Sequence, residues 1–152
     1  MHRRSPRSPL AVFAFCALLL TTVSCARDHG PPRDARAEAA ATAAQRLQGR
    51  WLLQAFQPAR QLDFALQAML NAQIGQLVLE VNGLNMFMRG PGVAVQRTFR
   101  IDEAYAEHLQ MTVFDSYGVG FRTFGDFNGN NTLIINGNEA PWVGRATLSR
   151  IP

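Results

Sequence analysis

Lysine is absent from this 152-residue chain, and all fifteen of its basic residues are arginine. Cysteine is nearly absent, present only as Cys16 and Cys25, and histidine occurs three times. No apolar run reaches the roughly 20 residues that a membrane-spanning helix needs. Each shortage excludes something. A disulfide-stapled scaffold and a thiolate metal centre both need more cysteine than this. Histidine-based acid–base or metal chemistry has few residues to draw on. The length itself allows one ordinary domain and little more.

What is present begins at the N-terminus. Arg3, Arg4 and Arg7 make a basic stretch, residues 10–20 are unbroken apolar, and Thr21-Thr22-Val23-Ser24 leads to Cys25. This is the layout of a secretory signal. The zone before Cys25 resembles a bacterial lipoprotein signal, which sets small or apolar residues directly before an invariant cysteine. Thr22 stands three residues before the cysteine, where that family prefers Leu. The resemblance implies cleavage after Ser24, diacylglycerol on the Cys25 sulfur and an acyl chain on the new amine. It also implies a membrane partner, since several acyl chains hold a protein stably where one would not. Ala26 follows the cysteine where an aspartate would mark inner-membrane retention, so the resemblance favours the outer membrane of the cell envelope.

Removing residues 1–24 takes away three arginines and leaves twelve against eleven acids, a net charge of +1. A nearly neutral chain has no basic cluster to neutralise phosphates, which excludes nucleic-acid binding as an electrostatic function. Cys16 leaves with the signal and Cys25 becomes a thioether, so the domain must be held by its core alone. Residues 25–46 read as a tether. Pro31-Pro32 and charges come first, and then an Ala-rich stretch favours helix without an apolar stripe.

The compact domain is expected over residues 47–152. Residues 51–56 read as a first strand ended by Pro58. Leu62, Ala65, Leu66, Met69, Leu70 and Gln73 then recur at helical spacing. Asp63 suits the first turn of that helix and Gly75 suits its stop. Everything after Gly75 alternates as strands separated by turns: Asn82-Gly83, Gly90-Pro91-Gly92, a polar loop over 102–108, residues 115–118 and residues 128–131. About eight short strands with short connections predict an antiparallel meander closing into a small β-barrel, with one helix between strands one and two.

Gly49-Arg50-Trp51 at the start of the first strand resembles the G-x-W that opens lipocalins and related small calycin-type barrels. That resemblance implies that Trp51 plugs one end of the barrel and that an arginine near the last strand stacks across it. Arg150 is the first choice for the arginine and Arg145 the second. The helix after strand one is similar to the helical insertion of fatty-acid-binding proteins. The domain is shorter than a typical lipocalin and lacks the long helix after the last strand, and architecture of this kind implies no particular ligand.

No catalytic group or cofactor is expected. His108, beside Glu107, reads as a solvated loop residue, and Asp102, Glu103 and Glu107 read as exposed acids. Ser24, Ser116 and Ser149 have no Ser-His-Asp context. Asp126, Asn128 and Asn130 place oxygen atoms at every second position, as calcium loops do. However, Asn131 stands where an EF-hand turns on Gly, and Gly137 stands where it ends on Glu. They make a weak calcium candidate beside the plainer reading of an Asn/Gly turn. Met86, Phe87 and Met88, with Phe121, Phe124 and Phe127, are apolar beyond what one barrel face needs. The expectation is therefore a lipid-anchored barrel that docks an envelope partner, or alternatively a lipocalin-like module for a small apolar ligand.

Overall fold

The computed structural model describes residues 33–152. The signal, Ser24, Cys25 and residues 26–32 of the tether lie outside the described residues. In chain order the elements are α1 (Arg33–Leu47), β1 (Gly49–Pro58), α2 (Phe64–Asn71), β2 (Val78–Asn82), β3 (Asn85–Gly90), β4 (Val93–Tyr105), β5 (His108–Phe114), β6 (Gly120–Asn128), β7 (Thr132–Gly137) and β8 (Gly144–Ile151). All strand pairs are antiparallel neighbours, and β8 returns to β1, so the sheet is a closed barrel without an exposed edge.

Alternation along each strand decides which side chains enter the barrel. Trp51, Leu53, Leu79, Val81, Met86, Phe99, Leu109, Met111, Phe127, Leu133 and Leu148 are buried in one cluster, and the intervening residues face out. Each fully buried large apolar side chain contributes about 1.5–3 kcal/mol, so such a cluster can hold a domain that has no cross-link. Turn chemistry fixes the register. Gly83, at φ +58°, takes the first position of the β2–β3 turn, where a primed hairpin turn needs positive φ.

Two expectations are corrected. Residues 102–108 are not a polar loop. β4 continues to Tyr105 and β5 begins at His108, with a bulge between Ile101 and Glu103. The bulge resets the alternation so that Ala104 faces the core while the acids stay on the outer wall. The Ala-rich stretch does pack. Ala43 and Leu47 of α1 are buried in the barrel cluster. Their stripe is made of one small and one large residue four apart, too sparse to register as an amphipathic pattern.

α2 lies between β1 and β2, where the helical spacing placed it. Asp63 is its N-cap rather than part of its first turn, and the carboxylate accepts from Leu66 N at 2.8 Å. Only Leu70 on the helix is buried, although the apolar stripe is longer. The buried Gln73 fastens the segment after α2 to the β3–β4 turn, with Nε2 donating to Pro91 O at 2.8 Å. Gly90 lies so close to Gln73 Oε1 that a Cβ there would force the Gln73 side chain to shift.

Candidate functional site

The two ends of the barrel are built differently. One end receives α1, the β2–β3, β4–β5 and β6–β7 turns and the C-terminus. A helix leaves its last carbonyls without partners. Here side chains take them. Trp51 Nε1 donates to Leu47 O at 2.8 Å, and Arg150 donates through Nη2 to Arg46 O at 2.5 Å and through Nη1 to Gln48 O at 2.6 Å. Arg150 also donates through Nε to Asn130 O at 3.1 Å, and its Cζ lies 4.2 Å from the Trp51 ring centroid. A cation at the negative end of a helix is favoured in its own right. Arg46 repeats the arrangement beside it, 4.1 Å over Phe127 and bonded to Glu107 at 2.5 Å. Arg145, the second candidate for the stack, is not part of it. It is exposed near the opposite end, paired with Gln57 and Asn136.

The other end is open, bounded by residues 59–77, the β3–β4 turn, residues 115–119 and residues 138–143. Two interior lobes lie beneath it. One, of about 110 Å³, is lined by Met86, Met88, Met111, Val113, Phe121 and Trp142 among others. The second, of about 90 Å³, includes Leu53, Phe56, Leu77 and Ala146. Leu79, Met88, Ile135, Gly137 and Trp142 line both. Trp142 meets Phe56 edge to face, with ring centroids 5.5 Å apart.

One charge enters this apolar interior. Arg97 occupies the inward series Val93, Val95, Arg97, Phe99 on β4, and its partner Glu139 comes from the loop over the mouth. The pair is bidentate, with Nη2 to Oε1 at 2.6 Å and Nε to Oε2 at 3.4 Å. Hydrogen bonding and charge pairing with Glu139 hold the Arg97 guanidinium above its ordinary range. The same loop is tied to β6, where Asn138 Nδ2 donates to Arg122 O at 2.7 Å. Sequence reasoning missed the Arg97–Glu139 pair and the place of Trp142. The visible signal was the single charge that interrupts the apolar inward positions Val93, Val95 and Phe99 of β4.

The other candidate residues are scattered. His108 Nδ1 is paired with Asp126 across β5 and β6 on the outer wall. Glu107 belongs to the Arg46 pair, and Asp102 accepts from Thr112 Oγ1 at 2.6 Å and Arg100 Nε at 2.8 Å. Those bonds, Thr112 foremost, hold the Asp102 carboxyl below its ordinary value. Ser149 accepts from Gln54, and Ser116 is exposed in the β5–β6 turn. Of the calcium candidates, Asp126 is engaged by His108 and the Asn130 carbonyl by Arg150. Among the described residues no three His, Cys, Asp or Glu side chains gather as a metal site. Of the apolar residues flagged on two faces, Met86, Phe121 and Phe127 face in, whereas Phe87 and Phe124 face out.

Large apolar side chains also stand on the open rim. Phe64 is 89% exposed and Tyr117 90% exposed, with Met69 on α2 and Ile74 and Val119 on the loops of this end also exposed. No family model, no curated protein and no solved structure matches this chain.

Proposed function

We propose that this chain is a lipid-anchored protein of the bacterial cell envelope, cut after Ser24 and acylated on Cys25, and more specifically of the outer membrane. Its barrel acts as a docking module for another envelope component, without a catalytic step or cofactor. The observation that carries the docking reading is a contrast of volumes and surfaces. The interior lobes, about 110 and 90 Å³, are each well below the roughly 300 Å³ at which ligand pockets begin. Meanwhile Phe64, Met69, Ile74, Tyr117 and Val119 expose apolar surface on α2 and the loops of the open end, five residues against Leu84 and Tyr105 at the other end. The sealed end receives α1, and the open rim lies at the opposite end of the barrel.

Photo-crosslinking groups at Phe64 and Tyr117, compared in cells with one at Arg122 on the wall, test this reading. Discrete adducts confined to the rim positions support it, and equal labelling at all three sites sinks it. The anchor is tested separately. Cys25→Ala should release the chain from membranes, and a variant that stays membrane-bound removes the lipoprotein reading.

A second reading, a lipocalin-like module for a small apolar ligand, is favoured by one observation. The larger lobe inside the barrel is lined mainly by apolar side chains, three of them methionines, beside the paired Arg97 and Glu139.

A further inference from the structure

We infer that the open end of the barrel is a binding site for a compact aromatic or cyclic molecule with at most one hydrogen-bonding group, with residues 138–143 as its lid. This inference rests on the second reading above and stands apart from docking at the rim. Size sets the class. A dry apolar cavity of roughly 150 Å³ binds a benzene-sized ring. The larger lobe, about 110 Å³, comes close to that, and the second lies beside it with five lining residues in common. An acyl chain needs a pocket of roughly 300 Å³ or more, well above either lobe's volume.

Lining chemistry narrows the class further. Met86, Met88 and Met111 bring thioethers to one lobe, and sulfur meets aromatic ring edges favourably. Methionine also adapts to irregular shapes, which suits a site filled only part of the time. Phe121 and Trp142 supply ring faces and edges. Thr123 is the buried polar residue of the wall, and its hydroxyl has only a long 3.4 Å bond to Phe121 O. It can therefore exchange that bond for one to a ligand hydroxyl. Arg97 does not call for a charged ligand, because Glu139 already satisfies it in bidentate form.

The lid has defined ends. A Cβ on Gly137 would lie 2.5 Å from Trp142 O, and one on Gly144 would strike Gln57 O, so close backbone approach at both positions requires glycine. Between them, the Glu139–Arg97 pair and the Trp142–Phe56 contact hold the loop down. Trp142 is the one side chain that both borders the two lobes and belongs to the loop above them. A ring entering the site displaces or reorients it.

The test uses the full chain in phosphatidylcholine vesicles, with protein-free vesicles as the partition reference. The Trp142 signal is the tryptophan emission of the parent minus that of Trp142→Phe, since Trp51 lies at the sealed end. Toluene should change this signal saturably, and Val113→Phe, which fills the larger lobe, should weaken the effect about tenfold or more. Dodecanoate should leave the signal unchanged. If Val113→Phe does not fold, the parent's melting temperature replaces it and should rise with saturating toluene. A saturable response to dodecanoate but none to toluene overturns the compact class and leaves the ligand reading standing. No response to either probe removes both. A toluene response unaltered in a folded Val113→Phe places the ring elsewhere and overturns the assignment of this site.

Discussion

The sealed end and the open end of this barrel are made from the same strands, yet they are closed by different chemistry. At the sealed end three successive backbone carbonyls of the α1–β1 junction accept bonds from Trp51 and Arg150, and the two rings beneath lie against guanidinium planes. Every group there is tied to several others. At the open end one ion pair, one side-chain bond to backbone, one backbone bond from Ala59 N to Val143 O at 3.0 Å and one edge-to-face ring contact hold a loop over residual space. Stability is thus concentrated where the chain enters. The face available to a ligand or partner carries the looser packing, as elements that must move generally do.

The largest test of this contrast is a matched pair of tryptophans. Trp51→Ala removes a fully buried ring, its bond to Leu47 O and the surface on which Arg150 stacks, and should cost about 3–5 kcal/mol. Trp142→Ala, at a half-buried loop position, should cost less than about 2 kcal/mol. Urea unfolding midpoints of the full chain measure both. Equal losses would erase the distinction between the ends. Next in size is Arg150→Lys. It keeps the charge but loses the planar fork that serves three carbonyls, so about 2–3 kcal/mol should be lost, against no more than about 0.5 kcal/mol for Arg145→Ala.

That pair of arginines also marks how far the sequence could be read. The barrel, the hairpin at Gly83 and the helix after β1 were legible because alternation, turn glycines and helical spacing are local signals. Gly49-Arg50-Trp51 pointed to Arg150 through resemblance, and the paired strands place Arg150 opposite Trp51. The α1 contact was not legible, because Ala43 and Leu47 make no stripe. Nor was the β4 extension, because Asp102 and Glu103 are polar for the outer wall rather than for a loop. The lid pair lay deepest. Arg97 and Glu139 are 42 residues apart, and only the closed barrel brings them together. The candidate site is therefore a property of the topology more than of any motif.

Within the open end, Glu139→Gln should be mild for global stability and clear for the lid. The pair is partly solvent-exposed, so its loss should cost on the order of 1 kcal/mol. Quenching of Trp142 by acrylamide should nevertheless increase, while Trp51, followed in a Trp142→Phe background, stays protected. Increased quenching of both would mean that the ends open together, and the division drawn between them would fail.

The smallest effect belongs to Asp102, which lies on the outer wall and serves neither end. Its folded pKa lies below the ordinary value of 3.8, through the Thr112 hydroxyl first and Arg100 next among the stabilising contacts, against an opposing cost of desolvation. A carboxyl depressed on folding contributes stability that is fully present above its unfolded pKa. That contribution is lost as pH falls through the folded value. Arg100 is mostly exposed, so solvent screens its share. The melting temperature of the parent should exceed that of Asp102→Asn by a small constant margin above about pH 5 and converge on it as pH drops below about 4. Thr112→Val removes the leading cause and should shrink the margin further than Arg100→Gln does. A margin that widens toward acid pH would mean that the carboxyl is raised on folding, which the geometry at Thr112 and Arg100 opposes.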